Sequence, residues 1–499
     1  MEDAFASDSA ALKAMPFLIS SLVIGIGLKL VYNIYFHPCR KFPGPKLAAI
    51  TDLVYYYHVW QGTVVSWVDQ VHCQYGDVAR VGPDRISYTK PEAWKSINGH
   101  RTRGQASNTK DDRFYPRELN GIETIINAEE DSEHSRIRKN FTHAFSDKAL
   151  KQQEHLIRKY VDKLIGLITK TSSAGSPVDV TKLYNYTTFD VMADLTFGEP
   201  LGLLDRSAYT PWVEATFNSL KISSLMRLPL EFPVIKPIID FCIPQYLKEM
   251  RERHWKHSVD RVNKRMQNGN DQPDIWSFVV STDQTDKGLT LDEMHGNAAN
   301  FMIAGTETTA TTLSGITYFL LRNPDKMKKL VEEIRALSAE DLNLETLPKL
   351  KYMSACLEES LRMYPPLPIA AWRKAPLGGS VICGEWVPER TRLGVSQYSA
   401  YHSPANFRDP DDFVPERWLP DSGFDGDKKD AFQPFSFGPR NCIGKNLAYH
   451  EMRIILASVL WHFDLELCSE CDGWIRQKVW TVWEKPALFV RFKPKVVAN

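Results

Sequence analysis

Cys442 stands near the end of a loop whose residue types could hold a metal, Phe435-Ser436-Phe437-Gly438-Pro439-Arg440-Asn441-Cys442-Ile443-Gly444. Lys445 to Ala457, directly after it, reads as a helix. A thiol at a helix N-terminus meets the positive end of the dipole and free backbone N–H groups, which favour the thiolate. The thiolate is the form that binds a metal. Gly438 and Gly444 allow turns and close approach that a Cβ would block. Arg440 could reach an anionic group beside the metal, and Phe435 could shield the sulfur. A lone cysteine in a turn is ordinarily a buried structural residue, so the whole string carries this reading.

A second group is Ala304-Gly305-Thr306-Glu307-Thr308-Thr309, inside a long helical pattern over 294–321 that is nearly free of charge. Glycine and threonine are poor helix-interior residues, and an acid in an apolar run is costly without a partner. Local rules fail here in the way they do at functional sites. The plainer alternative is a kinked core helix whose threonine hydroxyls bond the backbone. Glu359 and Arg362 precede Tyr364-Pro365-Pro366, and Arg417 lies in Phe413-Val414-Pro415-Glu416-Arg417-Trp418. Glu-x-x-Arg alone means only a helical ion pair. It also occurs at Glu133/Arg136, Glu332/Arg335 and Glu389/Arg392. His134 and Arg138 share one helix face by their i,i+4 spacing.

The order Phe-x-x-Gly-x-Arg-x-Cys-x-Gly resembles the haem-binding loop of cytochromes P450, in which a cysteine thiolate holds the iron. The other strings are similar to that family's motifs and occur in its order. The resemblance implies haem b with Cys442 as axial ligand, and Arg440, Phe435 and Gly444 around it. It implies His134 and Arg138 near the propionates, with His134 where the family has Trp. Arg373, in Leu367-Pro368-Ile369-Ala370-Ala371-Trp372-Arg373, is the further propionate ligand it implies, although Trp372 stands where the family often has Pro. Glu307 and Thr308 match the acid–alcohol pair that delivers protons in a helix widened for O₂. Glu359, Arg362 and Arg417 match a Glu–Arg–Arg network behind the haem loop, and a bidentate lock of this kind suits a loop at a metal site.

The elements that must position these groups are mainly helical. The implied fold class is mainly α with small β-sheets, the P450 fold, after a single N-terminal transmembrane helix. Residues 1–14 are a short lumenal terminus, 15–36 the anchor, 37–46 a proline-rich hinge and 47–499 the catalytic domain. The apolar run to Phe36 is about 33 Å long as a helix, enough to span a bilayer. Lys29 inside it can snorkel towards the interface. His37 to Lys46 holds three prolines and a glycine and reads as a stiff extended linker. Arg40, Lys41 and Lys46 follow the anchor and only Lys13 precedes it, so the positive-inside rule puts the body in the cytosol.

Asp77–Val81 and Ile86–Tyr88 read as strands around a Gly82-Pro83-Asp84 turn. Residues 101–130 are charged and irregular; in the family this region roofs the pocket. Leu225–Ile239, broken by prolines, is the pocket cap by resemblance and an interhelical loop by composition. Val479–Phe492 is expected to form a hairpin that lends Trp480 or Thr481 to the pocket.

Formal net charge is zero, which gives no electrostatic reason for a nucleic-acid partner. Eight cysteines scattered over the chain do not read as a disulfide framework. Cys468 and Cys471 have no second pair at zinc spacing. The implied function is an endoplasmic-reticulum monooxygenase using O₂. The resemblance implies electrons from an NADPH–cytochrome P450 reductase, expected as a separate protein because no flavin- or NAD-binding segment follows the haem loop, with cytochrome b5 as an optional second donor. The hinge and the Ala-Gly-Thr-Glu-Thr-Thr helix are most similar to filamentous-fungal P450s of secondary metabolism, which oxidise terpenoids or polyketides. The alternatives are a P450-fold isomerase, dehydratase or desaturase on the same substrate class, and a non-catalytic haem-binding protein.

Overall fold

The computed structural model describes residues 2–101, 105–172, 175–225, 227–232, 245–267, 273–282 and 288–495. Its long axis is the helix Leu291–Arg322. Thr290 starts it with a capping box: its hydroxyl accepts from Glu293 N, and Glu293 Oε2 accepts from Thr290 N at 2.7 Å. That satisfies two N–H groups a helix start otherwise leaves free. The helix packs along Val180–Phe197, which is buried on nearly every side. Gly305 makes this possible, since a Cβ there would lie 2.6 Å from Met192 Sδ.

The largest sheet has five strands in the order Val78–Gly82, Arg85–Tyr88, Arg392–Val395, Arg373–Lys374, Thr109–Lys110. Arg85–Tyr88 and Arg392–Val395 run parallel, and the remaining pairs are antiparallel. This sheet sets Lys110 beside Arg373 across one ladder. The helix Lys445–His462 follows the cysteine loop and packs on Leu291–Arg322, which fixes the loop against the long helix.

Three expectations change. The segment 15–36 is not a separate span but part of one helix, Glu2–Tyr35. Among the described residues no helix is long and apolar enough to cross a membrane. Ser20, Ser21, Gly25, Gly27, Lys29 and Asn33 dilute the run. Asn33 is buried, donates to Ile50 O at 2.8 Å and accepts at its own carbonyl from Arg80 at 3.0 Å. The end of the helix is therefore tied to the body.

Residues 37–46 do not form an extended spacer. Pro38–Lys41 is a 3₁₀ turn, and Pro43 O accepts from Arg80 N at 2.6 Å. The tail forms a smaller hairpin than expected. Val479–Trp480 pairs with Val482–Trp483 around Thr481, while Phe489–Pro494 joins a separate sheet with Phe463–Leu467. Trp480 turns its indole N–H to Glu484 at 2.9 Å. Within the cap segment, 226 and 233–239 lie outside the described residues, and Arg227–Glu231 is a short helix.

Candidate functional site

Cys442 closes a loop that is held at both ends. Its N–H donates to Phe435 O at 2.9 Å. Arg138, from the helix Asp131–Thr142, clamps Asn441 by donating to its backbone O at 2.6 Å and its Oδ1 at 2.8 Å. Gly438 has φ +80°, and a Cβ there would sit 2.0 Å from Asn98 O. That position requires glycine. Gly444 does not, since it has no positive φ and a Cβ would lie 3.9 Å from Cys442 Sγ, an ordinary contact. Against the protein's own atoms Gly444 is not crowded, and its N–H bonds the sulfur. Phe435 packs on Tyr449, with ring centroids 5.1 Å apart.

The helix start does not by itself make Cys442 a thiolate. Burial pushes the thiol pKa up, and the Gly444 N–H, Arg138 and Lys445 only partly oppose this. A bound metal cation would reverse that balance, since it deprotonates a coordinating thiol. Cys442 nonetheless keeps exposed surface within a largely enclosed loop. Ala304 is likewise exposed in the middle of an otherwise buried helix. The two regions are linked through Phe145, which lies 4.0 Å from a Cβ at Gly444 and stacks edge-on with Phe301 at 5.5 Å.

Beside the loop, cations gather with little to balance them. His134 is buried and its pKa is lowered to about 3, by burial first and then by Arg440, Lys110, Arg138 and Arg373. It is neutral at physiological pH. Burial and the same arginines push Lys110 well below its usual range. Arg373, lowered to about 10 mainly by burial, donates to Asn98 Oδ1 at 3.3 Å. Arg440 binds the half-exposed Asp131, at 3.0 Å from Nε and 2.8 Å from Nη2, and the backbone of Ala128 and Glu129. Arg440 is thus held at this edge by Asp131 and two backbone carbonyls. Buried cations that disfavour one another's charge are costly without a counter-anion. The two propionates of haem b are such a charge, so the residues fit that group. Lys110 was invisible in the sequence reading; nothing in Thr109-Lys110 differs from a surface strand.

The Glu–Arg–Arg residues meet. Glu359 Oε1 accepts from Arg362 Nη2 at 2.8 Å and Arg417 Nε at 3.0 Å, and all three side chains are fully buried. Trp418 Nε1 takes Oε2 at 2.9 Å. Arg362 continues to Tyr401 O, Pro410 O and Asp412 O, and Arg417 to Asp427 at 2.5 Å. The network ties the helix Lys351–Met363 to the segment ahead of the cysteine loop.

Glu307 and Thr308 do not form an isolated pair. Glu307 is buried and ion-paired with Lys485, a residue the sequence reading missed. Thr308 Oγ1 is part-exposed and donates to Ala304 O at 2.6 Å, while Thr309 is buried. The helix Leu291–Arg322 runs through this point without a break in its α pattern. On its packed side Gly305 lies against Met192, which leaves no room there for a Cβ.

A family model described as Cytochrome P450 matches residues 43–489. The chain is 47% identical over 93% of its length to Cytochrome P450 monooxygenase FUM2 of Gibberella moniliformis, covering 99% of that protein. It is 43% identical to Cytochrome P450 monooxygenase AMT3 of Alternaria alternata, over 94% of this chain and 97% of that one. To Averantin hydroxylase of Dothistroma septosporum it is 39% identical, over 96% and 93% respectively.

Proposed function

The chain belongs to the cytochrome P450 family, and we propose that it oxidises a terpenoid or polyketide intermediate with O₂ and reductase-supplied electrons. It is a haem-binding P450 monooxygenase of the kind found in fungal secondary metabolism. One observation carries the proposal most directly. Four buried or half-buried cations and a thiol loop converge where a dianionic metal macrocycle would neutralise the cations and ionise the thiol.

Haem, when bound, supplies the iron centre at which O₂ is activated. Cys442 would hold the iron through Sγ, with the Gly444 N–H donating to the sulfur. Arg373, Lys110 and Arg138 would meet the propionates, and His134, neutral, would add a hydrogen bond. Arg440, fixed by Asp131, would line that edge. Glu359, Arg362 and Arg417 hold the loop's approach rigid. Thr308 offers a hydroxyl on the part-exposed face of its helix, where it could pass a proton to the reacting oxygen. Glu307, behind it, would resupply that proton.

Electrons would come from an NADPH–cytochrome P450 reductase, with cytochrome b5 as an optional second donor. We place the enzyme at the cytosolic face of the endoplasmic reticulum. Exposed apolar residues of the first helix, among them Phe17, Val23, Ile24 and Leu28, support membrane association there. Cell fractionation of the full chain against residues 37–499 tests that placement. Turnover with and without NADPH and reductase tests the reaction. A product gaining oxygen only in the presence of both supports the proposal. Conversion without either would make the enzyme an isomerase or dehydratase.

A further inference from the structure

We infer that a pocket beside Arg227 receives an acidic group of the substrate, so that the substrate is a lipophilic acid. This rests on the monooxygenase reading and narrows its substrate class. The pocket lies between the short helix Arg227–Glu231, the first sheet and the tail hairpin, and Arg85, Arg227, Asp111, Ser224 and Thr481 supply its polar atoms. It backs onto the cofactor site. Asp111 and Trp372, which line it, each adjoin a member of the Lys110–Arg373 ladder pair, and Asp111 N donates to Trp372 O at 3.3 Å. Aromatic walls and about 20 Å³ of space for water-sized groups admit the oxygens of a carboxylate head and leave the apolar stem outside.

Four acids meet four arginines there, but the acids pair with Arg85, Arg113 and Arg392; Asp84, for one, lies 3.7 Å from Arg392. Arg85, Arg113 and Arg392 share Glu231, at 3.7, 2.8 and 2.5 Å. Despite burial, those arginines keep the Glu231 carboxyl down at about 2, so its charge is fully committed. Arg85 also lies 3.3 Å from Asp52, but burial raises that acid to about 7, so it is only partly ionised at neutral pH. The Nε and Nη1 of Arg85 are buried without a hydrogen-bond partner. Asp111 faces the pocket but sits 3.7 Å from Arg392.

Arg227 is the cation left over. Among the described residues it has no ion pair or hydrogen bond. Its guanidinium lies 4.1 Å above the Phe114 ring, and its Nε is buried and unpartnered. Arg227 is half-buried, and a buried, unpaired guanidinium N–H gains when an anion reaches it; Arg is also the side chain suited to planar carboxylates. Ser224 and Thr481, bonded to each other at 2.6 Å, add hydroxyls beside it.

The test uses the haem-loaded full chain without NADPH. Dodecanoic acid, its methyl ester and 1-dodecanol are compared by calorimetric binding at neutral pH. The acid is expected to bind about tenfold or more tighter than the ester, the worth of a charge-assisted hydrogen bond. Arg227→Gln should remove that preference while leaving ester affinity in place, and Arg227→Lys should restore part of it. Haem content and the far-ultraviolet spectrum check that the variants fold. An acid-to-ester ratio near one from decanoic to hexadecanoic acid overturns the inference. So does a preference undiminished in Arg227→Gln. Because binding is measured without turnover, the subsite and the monooxygenase reading fail separately.

Discussion

Glu307 Oε1 is ion-paired with Lys485 Nζ, which also donates to Thr311 Oγ1 at 2.8 Å, and both side chains are buried. Glu307 Oε2 has no hydrogen-bond partner. The acid next to Thr308 is therefore held from the tail of the chain. Passing a proton from Glu307 to Thr308 requires that the carboxylate turn or that Lys485 let go.

That pairing has a pH signature. Burial raises the Glu307 pKa and Lys485 opposes the rise. An acid whose folded pKa lies above its unfolded value binds protons more tightly in the folded state. Its cost is absent below the unfolded pKa and appears as pH rises through the folded one. Lys485→Met removes the opposing cation, so the window moves upward and deepens. The Tm of Lys485→Met should fall more steeply than wild type as pH rises above the ordinary carboxylate range. Lys485→Met with Glu307→Gln should lose the extra slope. Parallel curves for wild type and Lys485→Met would show that the pair does not control this ionisation.

Thr308→Ala should keep haem and substrate binding but consume NADPH with peroxide released in place of product. Positioned acid–base help is worth about 10²–10⁴ in rate, so a large drop in product per NADPH is expected. Thr309 is buried, roughly 100° further round the helix, and Thr309→Ala should act on stability more than on this ratio. An unchanged ratio in Thr308→Ala would leave the hydroxyl as a backbone-bonded helix residue.

Much of this site is readable locally because its spacing is local. The cysteine loop, the Ala304–Thr309 string and Glu359-x-x-Arg362 each lie within ten residues. What completes them does not. Lys485 is 178 residues from Glu307, and nothing in Trp-Glu-Lys-Pro marks it as buried. Lys110 is a cofactor-side cation only because a ladder sets it beside Arg373. Gly305 has a second role that local sequence hides: a helix glycine can also permit a helix crossing, and only the fold brings Met192 against it. The N-terminal helix was over-read because a hydropathy run ignores the serines, glycines and Asn33 that dilute it.

Cys442→Ser should abolish the red-shifted Soret band that the reduced, carbon monoxide-bound protein shows with a thiolate ligand. Cys356→Ser and Cys468→Ser should retain it. Burial raises the thiol pKa at both of these positions, and neither lies in the loop. A band that survives Cys442→Ser would place the iron elsewhere.

Glu359→Gln should destabilise the protein by roughly 3–5 kcal/mol, because it leaves two buried guanidiniums without their shared carboxylate. Denaturant unfolding measures the loss. Glu345→Gln, which removes the exposed partner of Lys151 at 2.7 Å, should leave stability almost unchanged. Equal losses would mean that Glu359 is no more than one of many surface pairs.

The two loop glycines make opposite predictions. Gly438 has φ +80°, where an L-residue costs about 1–2 kcal/mol on backbone grounds alone. A Cβ there would also meet Asn98 O at 2.0 Å, an atom at the end of a helix that cannot move freely. Asn98 carries the side-chain oxygen that accepts from Arg373, so displacing it should shift a proposed propionate ligand as well. Gly438→Ala should therefore lower haem content per chain and Tm together. Gly444 has ordinary φ, and an added Cβ would meet only Cys442 Sγ and Phe145 at van der Waals distance. Gly444→Ala keeps the N–H that bonds the sulfur. It should hold haem near wild-type levels and change Tm little. Haem per chain from the pyridine haemochrome, set against calorimetric Tm, separates the two. Loss of haem in Gly444→Ala with retention in Gly438→Ala would overturn this account of which glycine the loop requires.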